Sequence, residues 1–117
     1  MKDRMVYIHA AYDCIQAIEE FTQGYELEQF LQDRKTQDAV IRNLEVLGQT
    51  IKNFGIEDLK MDYPDIPWSQ IAGMRNIIAH EYLGIDKVII WETVSHHLEP
   101  IKITIEQILQ LSDMNSK

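Results

Sequence analysis

Apolar residues recur at helical spacing along nearly the whole chain. The first run consists of Met1, Met5, Ile8, Tyr12, Ile15 and Ile18. It predicts a helix to about Phe21, with Gly24 as a stop. A second helical region begins near Tyr25, and its clearest run has 4-3-4-3 spacing: Val40, Leu44, Leu47, Ile51 and Phe54. Such spacing is typical of a helix that packs lengthwise against other helices, and Gly55 ends it.

The second half of the chain continues the helical pattern after one irregular connection. Residues 56–61 predict a short helix, and Pro67 is well placed in the first turn of the next long helix. The last segment starts at Asp86, a candidate N-cap. Its apolar run crosses Pro100, where we expect a kink or a new helix start: Trp91, Val94, Leu98, Ile101, Ile105 and Ile108.

Together these runs predict an all-α, up-and-down bundle of four to five helices. A chain of 117 residues suits one domain. We place that domain at residues 1–112 and expect a frayed tail at 113–117. Gly48 interrupts the second long helix at a cost of up to about 1 kcal/mol relative to alanine, which predicts the close approach of another helix.

Composition and charge limit the classes of function that the protein can have. The 11 Lys and Arg residues face 19 Asp and Glu residues, a net charge of −8. Nucleic-acid affinity depends on basic side chains that contact phosphates, so this balance argues against a general nucleic-acid binder. Any RNA contact has to be local or helped by a basic partner. No signal peptide or membrane-spanning run is visible, and we expect a soluble, cytoplasmic protein.

Elsewhere in the chain, isolated reactive side chains give little indication of a functional site. Cys14 is the single cysteine, so an intrachain disulfide is excluded, and its position predicts a buried thiol. His96 and His97 are adjacent, so they diverge by about 100° on a helix and cannot form a metal pair; we expect both on the surface. Trp68 is expected to be a core or interface anchor. No cofactor or metal site is predicted.

The candidate chemistry is concentrated in residues 74–84. On an ideal helix, Asn76 and His80 share a polar face. Tyr82 would lie nearly above Arg75 on the same helix. The opposite side is an apolar stripe formed by Ile71, Met74, Ile78 and Ile85. Arg75 and His80 diverge by about 140°, so they converge only if the arginine curls round or the helix ends near His80.

Spacing alone leaves ordinary structural alternatives open for these residues. His80 can be a solvated surface histidine, and Arg75 can pair with a carboxylate. Tyr82 can pack on the apolar stripe. Asp33 and Arg34, at the start of the second long helix, can be an N-cap and a surface charge.

A family resemblance enters at this stretch. The pattern is Arg75, four residues, His80, one residue and Tyr82. It resembles the signature of the HEPN superfamily of small helical nucleases. The flanks at 66–76 and 82–86, together with residues 33–37, are similar to the HepT-like branch, the toxins of prokaryotic toxin–antitoxin pairs. The resemblance extends from about Tyr7 to Leu111.

The resemblance implies a metal-independent endoribonuclease toxin, with the motif at a homodimer interface. Arg75, Asn76, His80 and Tyr82 would then form the catalytic site. The antitoxin would be a small nucleotidyltransferase of the MNT type that transfers AMP to Tyr82. The resemblance also makes Asp33 and Arg34 candidates for lining the cleft.

The residues fit RNA cleavage by attack of the 2′-hydroxyl on its own phosphate. A histidine exchanges protons near neutral pH, and an arginine presents a planar fork to phosphate oxygens. Such a step uses an acid and a base, and a two-fold dimer would supply a second His80. The alternative is a non-catalytic helical module that binds a nucleotide or a partner protein, a reading that the acidic charge favours.

Overall fold

A computed structural model describes residues 3–115, without the side chains of Tyr82 and Asn115, and most of these residues are helical. Seven α-helices follow one another: α1 (Met5–Thr22), α2 (Leu27–Gln32), α3 (Arg34–Phe54), α4 (Ile56–Asp62), α5 (Trp68–His80), α6 (Lys87–Glu92) and α7 (Leu98–Asn115). A 3-10 turn, Tyr82–Gly84, follows α5, and a π-helical turn, Thr93–His97, joins α6 directly to α7.

These elements make four long helical rods: α1, α3, α5 and the continuous unit of α6, π turn and α7. The short helices α2 and α4 complete the bundle. α3 packs against both α1 and α5, and α7 packs against α1. The part of the chain that the structure describes contains no strand. The all-α prediction is therefore confirmed, with four long rods and two short helices where four to five helices were expected.

The core consists of the predicted apolar runs. All five members of the α3 run are buried, as are Leu98, Ile101, Ile105 and Ile108 of the last run. Trp91 and Val94 are partly buried. Trp68 is fully buried, and its indole Nε1 donates a hydrogen bond of 2.9 Å to the carbonyl of Tyr63, which confirms it as a core anchor. Met1 lies outside the described residues.

Local sequence signals set several helix ends. The carboxylate of Asp86 accepts a hydrogen bond of 2.9 Å from the backbone N–H of Val88, so the predicted cap of α6 is confirmed. Gly24 and Gly55 have φ values of +76° and +128°, which L side chains rarely adopt, and each follows a long helix. α2 begins at Leu27, two residues after the predicted start at Tyr25, because Glu26 forms a capping box there.

Gly48 is the point of closest approach between α3 and α5. A Cβ atom at this position would lie 2.8 Å from the carbonyl oxygen of Ile71 and 3.3 Å from the backbone nitrogen of Arg75. Only a residue without a side chain fits against another backbone at this distance. The predicted close approach is confirmed, and the neighbour is the helix that carries the motif.

Pro100 explains the change of helix type before α7. A proline has no N–H to bond to the carbonyl of the residue four positions earlier, His96, and its ring would clash with that carbonyl. The preceding turn, Thr93–His97, widens into a π turn, and the packing face continues. α7 extends to Asn115 and so includes the first part of the predicted tail. The domain boundary stays a prediction, and residues 116 and 117 lie outside the described residues.

Two side chains near α1 behave as the pattern predicts. Cys14 is buried, and burial raises the pKa of its thiol, as expected for a core cysteine without a thiolate role. Tyr12 donates a hydrogen bond of 3.1 Å to Glu106 and so links α1 to α7. Within the described residues, no helix has both the length and the apolar character needed to cross a membrane.

Candidate active site

The two halves of α5 have different surroundings. In its first half, Trp68, Ile71 and Ala72 lie in the core, while Ser69 and Gln70 are exposed. In its second half only Ile78 is buried, and Arg75, Asn76 and His80 are exposed. Core packing therefore holds α5 in place on one side, and the motif side chains are exposed to solvent.

The last turns of α5 bring Arg75 and Asn76 together. Nη1 of Arg75 donates a hydrogen bond of 3.2 Å to the side-chain oxygen of Asn76. Arginine has five N–H donors, so this bond leaves the rest of the guanidinium available to an anion. No ion pair joins Arg75 to a described side chain, so the alternative of a carboxylate partner is not what the structure shows.

α5 ends at His80, which meets one of the two conditions for Arg75 and His80 to converge. The backbone N–H of Glu81 still donates a hydrogen bond of 2.9 Å to the carbonyl of Ile77, but Glu81 leaves the helix with φ −122° and ψ 29°. The ring of His80 is exposed and forms no hydrogen bond or ion pair with a described side chain. No described side chain therefore occupies its ring nitrogens.

The predicted position of Tyr82 on the same helix as Arg75 is wrong. Because the helix ends at His80, Tyr82 begins the 3-10 turn, and its angular relation to Arg75 on an ideal helix does not apply. The side chain of Tyr82 lies outside the described part of the structure. Its catalytic and regulatory roles remain predictions.

Asp33 is the N-cap of α3, as predicted. Its carboxylate accepts hydrogen bonds from the hydroxyl of Tyr25 at 2.6 Å, the hydroxyl of Thr36 at 2.7 Å and the backbone N–H of Thr36 at 3.1 Å. The hydrogen bond from Tyr25, followed by those from Thr36, lowers the pKa of Asp33 to about 2. We call Tyr25, Asp33 and Thr36 the cap cluster.

Arg34, which follows the cap, is a surface residue. Its side chain is 84% exposed, and its Nε lies 3.8 Å from a carboxylate oxygen of Asp38. No described hydrogen bond or ion pair joins Asp33 or Arg34 to Arg75 or His80. The structure thus shows the cap and the surface charge, and a role in lining the cleft stays a prediction.

A cleft that the sequence did not predict runs along α5. A cavity of about 460 Å³ lies between the first half of α5 and the π turn, and we call it the α5–π cleft. Its lining includes Asp65, Gln70, Met74, Thr93 and His97. A second cavity of about 260 Å³ shares Met74 and Thr93 with it and reaches Glu81 and Gly84, beside the motif. Pro100 is the residue in the sequence that could have indicated this cleft, since a proline inside a helical pattern predicts a distorted turn.

Charge is unevenly distributed between the helices. α3 carries Arg34, Lys35, Arg42 and Lys52 against two acidic residues, and it packs on α5. α1, by contrast, contains three acidic residues and no Lys or Arg. α4, which also packs on α5, is acidic, with three Asp or Glu residues against one lysine.

His96 and His97 are both exposed, which confirms their surface assignment. Among the residues whose side chains are described, no three His, Cys, Asp or Glu side chains gather into a group that could hold a metal ion.

Comparison with known proteins connects this geometry to a family. Residues 11–108 match the family described as "Ribonuclease HepT-like". A "Probable ribonuclease HepT" of Thermococcus cleftensis is 40% identical over 87% of this chain and 92% of its own length. A "Putative RNase" of Methanocaldococcus jannaschii is 37% identical over 93% of this chain and 89% of its own.

The name of a longer relative from the same archaeon includes a second activity. The "Gamma-glutamylcyclotransferase and putative RNase" of Methanocaldococcus jannaschii is 35% identical over 97% of this chain, which spans about half (51%) of that relative. No solved structure gives a significant match. The family match covers most of the chain and includes α5 with its exposed Arg75 and His80, and the chain therefore belongs to the HepT-like ribonuclease family.

Proposed function

We propose that this protein is a metal-independent endoribonuclease whose catalytic groups are Arg75 and His80. One observation carries the proposal: in a member of the HepT-like ribonucleases, the last turns of α5 expose an Arg75–Asn76 pair and a histidine free of described partners. Exposed polar groups that the fold does not use are available for a substrate.

The proposed reaction is an internal transesterification of RNA. His80 removes the proton from a ribose 2′-hydroxyl, and that oxygen attacks the adjacent phosphorus. A bond forms between phosphorus and the 2′-oxygen while the bond to the 5′-oxygen breaks, and the 5′-oxygen takes a proton from an acid. The products are a 2′,3′-cyclic phosphate and a 5′-hydroxyl. Arg75 stabilises the negative charge that develops on the phosphoryl oxygens, and Asn76 orients the guanidinium.

The proton donor is the reason for proposing a homodimer. Each chain offers one His80, and two-fold symmetry would add the partner subunit's His80 to the same site. Exposed apolar residues flank the motif: Ile77 is 56% exposed and Leu83 is 93% exposed. An apolar surface beside a catalytic motif is a favourable place for a protein interface.

The positive charge of α3 supports local RNA binding. This helix packs against α5 and has four basic residues against two acidic ones, and we propose it as a source of phosphate contacts. The net charge of −8 still favours the alternative of a non-catalytic nucleotide-binding or partner-binding module. Purified wild-type protein that binds RNA or nucleotide without cleaving RNA would establish that alternative.

The reaction is tested with purified protein and single-stranded RNA, with and without EDTA. We expect EDTA-resistant cleavage whose products carry 2′,3′-cyclic phosphate ends, and no cleavage by the His80→Ala variant. Cleavage that stops in EDTA and returns with Mg²⁺, or a fully active His80→Ala variant, would contradict the mechanism.

The dimer is tested by light scattering at micromolar concentration. We expect a dimer for the wild type and a monomer with strongly reduced activity for Leu83→Asp. Met61→Asp is the matched control, because Met61 is 83% exposed on α4, outside the motif region. If Leu83→Asp remains a dimer, or if the wild type is an active monomer, the proposed interface is wrong.

We further propose that the protein is a toxin neutralised by AMP transfer to Tyr82 from an MNT-type nucleotidyltransferase. An AMP phosphodiester would place about one negative charge two residues after His80, where it would compete with RNA phosphate for Arg75. Mass spectrometry after incubation with ATP and the antitoxin should find AMP on the wild type and none on Tyr82→Phe. AMP on another residue, or equal silencing of Tyr82→Phe, would place the switch elsewhere.

A further inference from the structure

We infer that a cleft beside α4 binds an organic cation, an ammonium or guanidinium group on an aliphatic chain. The cleft has a volume of about 440 Å³, within the range of ordinary small-molecule sites, about 300–1,000 Å³. We call it the α4 cleft. Among its described lining residues, none belongs to the set proposed for RNA cleavage, so this inference does not depend on that function.

One part of the α4 cleft already holds a cation of the chain itself. The guanidinium carbon of Arg4 lies 4.3 Å from the centroid of the Phe54 ring. Its Nη1 donates hydrogen bonds to the carbonyl oxygen of Phe54 at 3.2 Å and to the carboxylate of Asp58 at 2.5 Å. Aromatic faces, carbonyls at helix C-termini and carboxylates all attract positive charge. The cleft therefore contains the groups that recognise a guanidinium.

A second carboxylate in the α4 cleft has no such cation. Asp62 lies one helical turn after Asp58 on α4, so the two residues share a face and are about 6 Å apart along the axis. Asp62 is exposed and forms no hydrogen bond or ion pair with a described side chain. Tyr63 and Ser112 add hydroxyl groups to the lining. An ammonium group from outside can therefore bind at Asp62 as Arg4 binds at Asp58.

The charge of the lining determines the charge of the ligand. The charged residues that line the cleft are Arg4, Asp58 and Asp62, so two carboxylates face one guanidinium. One negative charge is left without a counter-charge, and a ligand with a single positive charge neutralises it. An anion would meet two carboxylates and a guanidinium that is already paired with Asp58.

The apolar part of the cleft suits an aliphatic chain. Met5, Leu59, Ile108 and Leu111 line it, and they come from α1, α4 and α7. Leu111 is 50% exposed, so a bound chain would cover apolar surface that is in contact with water. Burial of this surface favours a cation with an aliphatic chain over a bare ammonium ion.

The position of the cleft leaves the motif accessible. α5 packs against α4 and begins at Trp68, whose indole donates a hydrogen bond to Tyr63, the residue after α4. His80 lies about 18 Å further along the axis of α5. A cation in the α4 cleft and RNA at the motif can therefore be bound at the same time.

Methionine-methyl NMR at pH 7 tests the site. Met5 lines the cleft, and Met74, which lines the α5–π cleft instead, is the reference. Hexylamine (an ammonium at this pH), hexanol and hexanoate share a chain length and differ in charge. We expect hexylamine to shift the Met5 signal saturably and hexanol to need a severalfold higher concentration. Hexanoate should leave the signal in place.

A fourth probe distinguishes the two sources of such a cation. Nα-acetyl-lysine amide presents the lysine side chain as a partner protein would. A Met5 shift at concentrations similar to those of hexylamine would support the site and identify a basic side chain as its ligand. A response to hexylamine alone would support the site and identify a free amine.

A pair of variants then assigns the contact. Asp62→Asn should weaken the binding of hexylamine about two- to fivefold, the usual effect of one exposed ion pair. Glu57→Gln is the matched control, because Glu57 is exposed on the same helix, does not line the cleft and carries the same charge. Its affinity for hexylamine should equal that of the wild type. Both positions are exposed, so both variants should fold.

The remaining outcomes would overturn the site or separate it from the nuclease. Equal weakening in Asp62→Asn and Glu57→Gln would show a general effect of net charge, and equal binding of hexylamine and hexanol would show no recognition of charge. Equal shifts of Met5 and Met74 would show unspecific adsorption. Each of these three results overturns the inference. A saturable Met5 shift in a protein that cleaves no RNA would support the cation site while the proposed ribonuclease function fails.

Discussion

The cap cluster and the motif on α5 are both polar, but they differ in how far the fold uses their atoms. In the cap cluster, Asp33 accepts three hydrogen bonds, and those from Tyr25 and the Thr36 hydroxyl are 2.6 and 2.7 Å long. In the motif on α5, the described side-chain hydrogen bonds of Arg75, Asn76 and His80 amount to one, of 3.2 Å, between Arg75 and Asn76. The carboxylate is occupied by the fold, whereas the histidine and most of the guanidinium are open.

This difference separates stability from chemistry. A polar group that the fold already satisfies stabilises the native state and has little capacity left for a ligand. An exposed group contributes little to stability and can bind a substrate. Substitutions in the two regions should therefore have opposite signatures.

The largest effect is expected at the motif. Arg75→Ala and His80→Ala should each reduce the rate of RNA cleavage by about 10²–10⁴, because each removes a positioned catalytic group. Both residues are exposed, so the melting temperature should hardly change. Initial rates and thermal denaturation measure the two effects. A large fall in melting temperature would mean that the motif, too, is part of the scaffold.

Gly48 tests the helix contact on which the motif depends. Gly48→Ala should destabilise the protein by about 1–3 kcal/mol, since the new Cβ would lie 2.8 Å from the carbonyl oxygen of Ile71, which is backbone and cannot turn away. Activity should fall as well, because the backbone of Arg75 is at the same contact.

The matched control for this variant is Gly73→Ala on α5. A Cβ at Gly73 would meet nothing within 4 Å, so this change should stabilise the helix by about 0.5–1 kcal/mol. Urea denaturation compares the two variants. Equal stability of Gly48→Ala and wild type would show that α3 and α5 can move apart freely.

Asp33 should reveal the cap cluster through pH. Hydrogen bonds from Tyr25 and Thr36 lower the folded-state pKa of Asp33 from 3.8 to about 2. The stabilisation is therefore complete above about pH 4 and is lost as the pH falls towards 2. Asp33→Asn should lower the melting temperature by a few degrees at pH 7 and flatten its fall between pH 4 and 2. Asp38→Asn is the control variant, and its melting temperature should depend on pH as that of the wild type does.

The smallest effect is expected for Arg34→Ala. A surface charge with one 3.8 Å ion pair to Asp38 should change the free energy of unfolding by less than about 0.5 kcal/mol. RNA cleavage should fall by less than tenfold, as it should for Lys35→Ala. A drop of a hundredfold in Arg34→Ala alone would place Arg34 in the active site and remove the contrast between the two regions.

The sequence by itself determined the helices, their buried faces and several of their ends. The run from Val40 to Phe54 is buried because helical spacing puts those side chains on one face. Asp33 and Asp86 cap their helices through backbone N–H groups two or three residues away. Such interactions are local, so a short stretch of sequence contains all the atoms that decide them.

Tertiary structure decided where the motif helix stops and what lies beside it. The spacing of Arg75, His80 and Tyr82 allowed one continuous helix, but α5 ends at His80. The neighbour of Gly48 and the walls of the α5–π cleft depend on segments far apart in the chain, such as Gln70 and His97. Periodicity shows which face of a helix is apolar; which helix covers that face, and where a gap is left, depends on how the whole bundle packs.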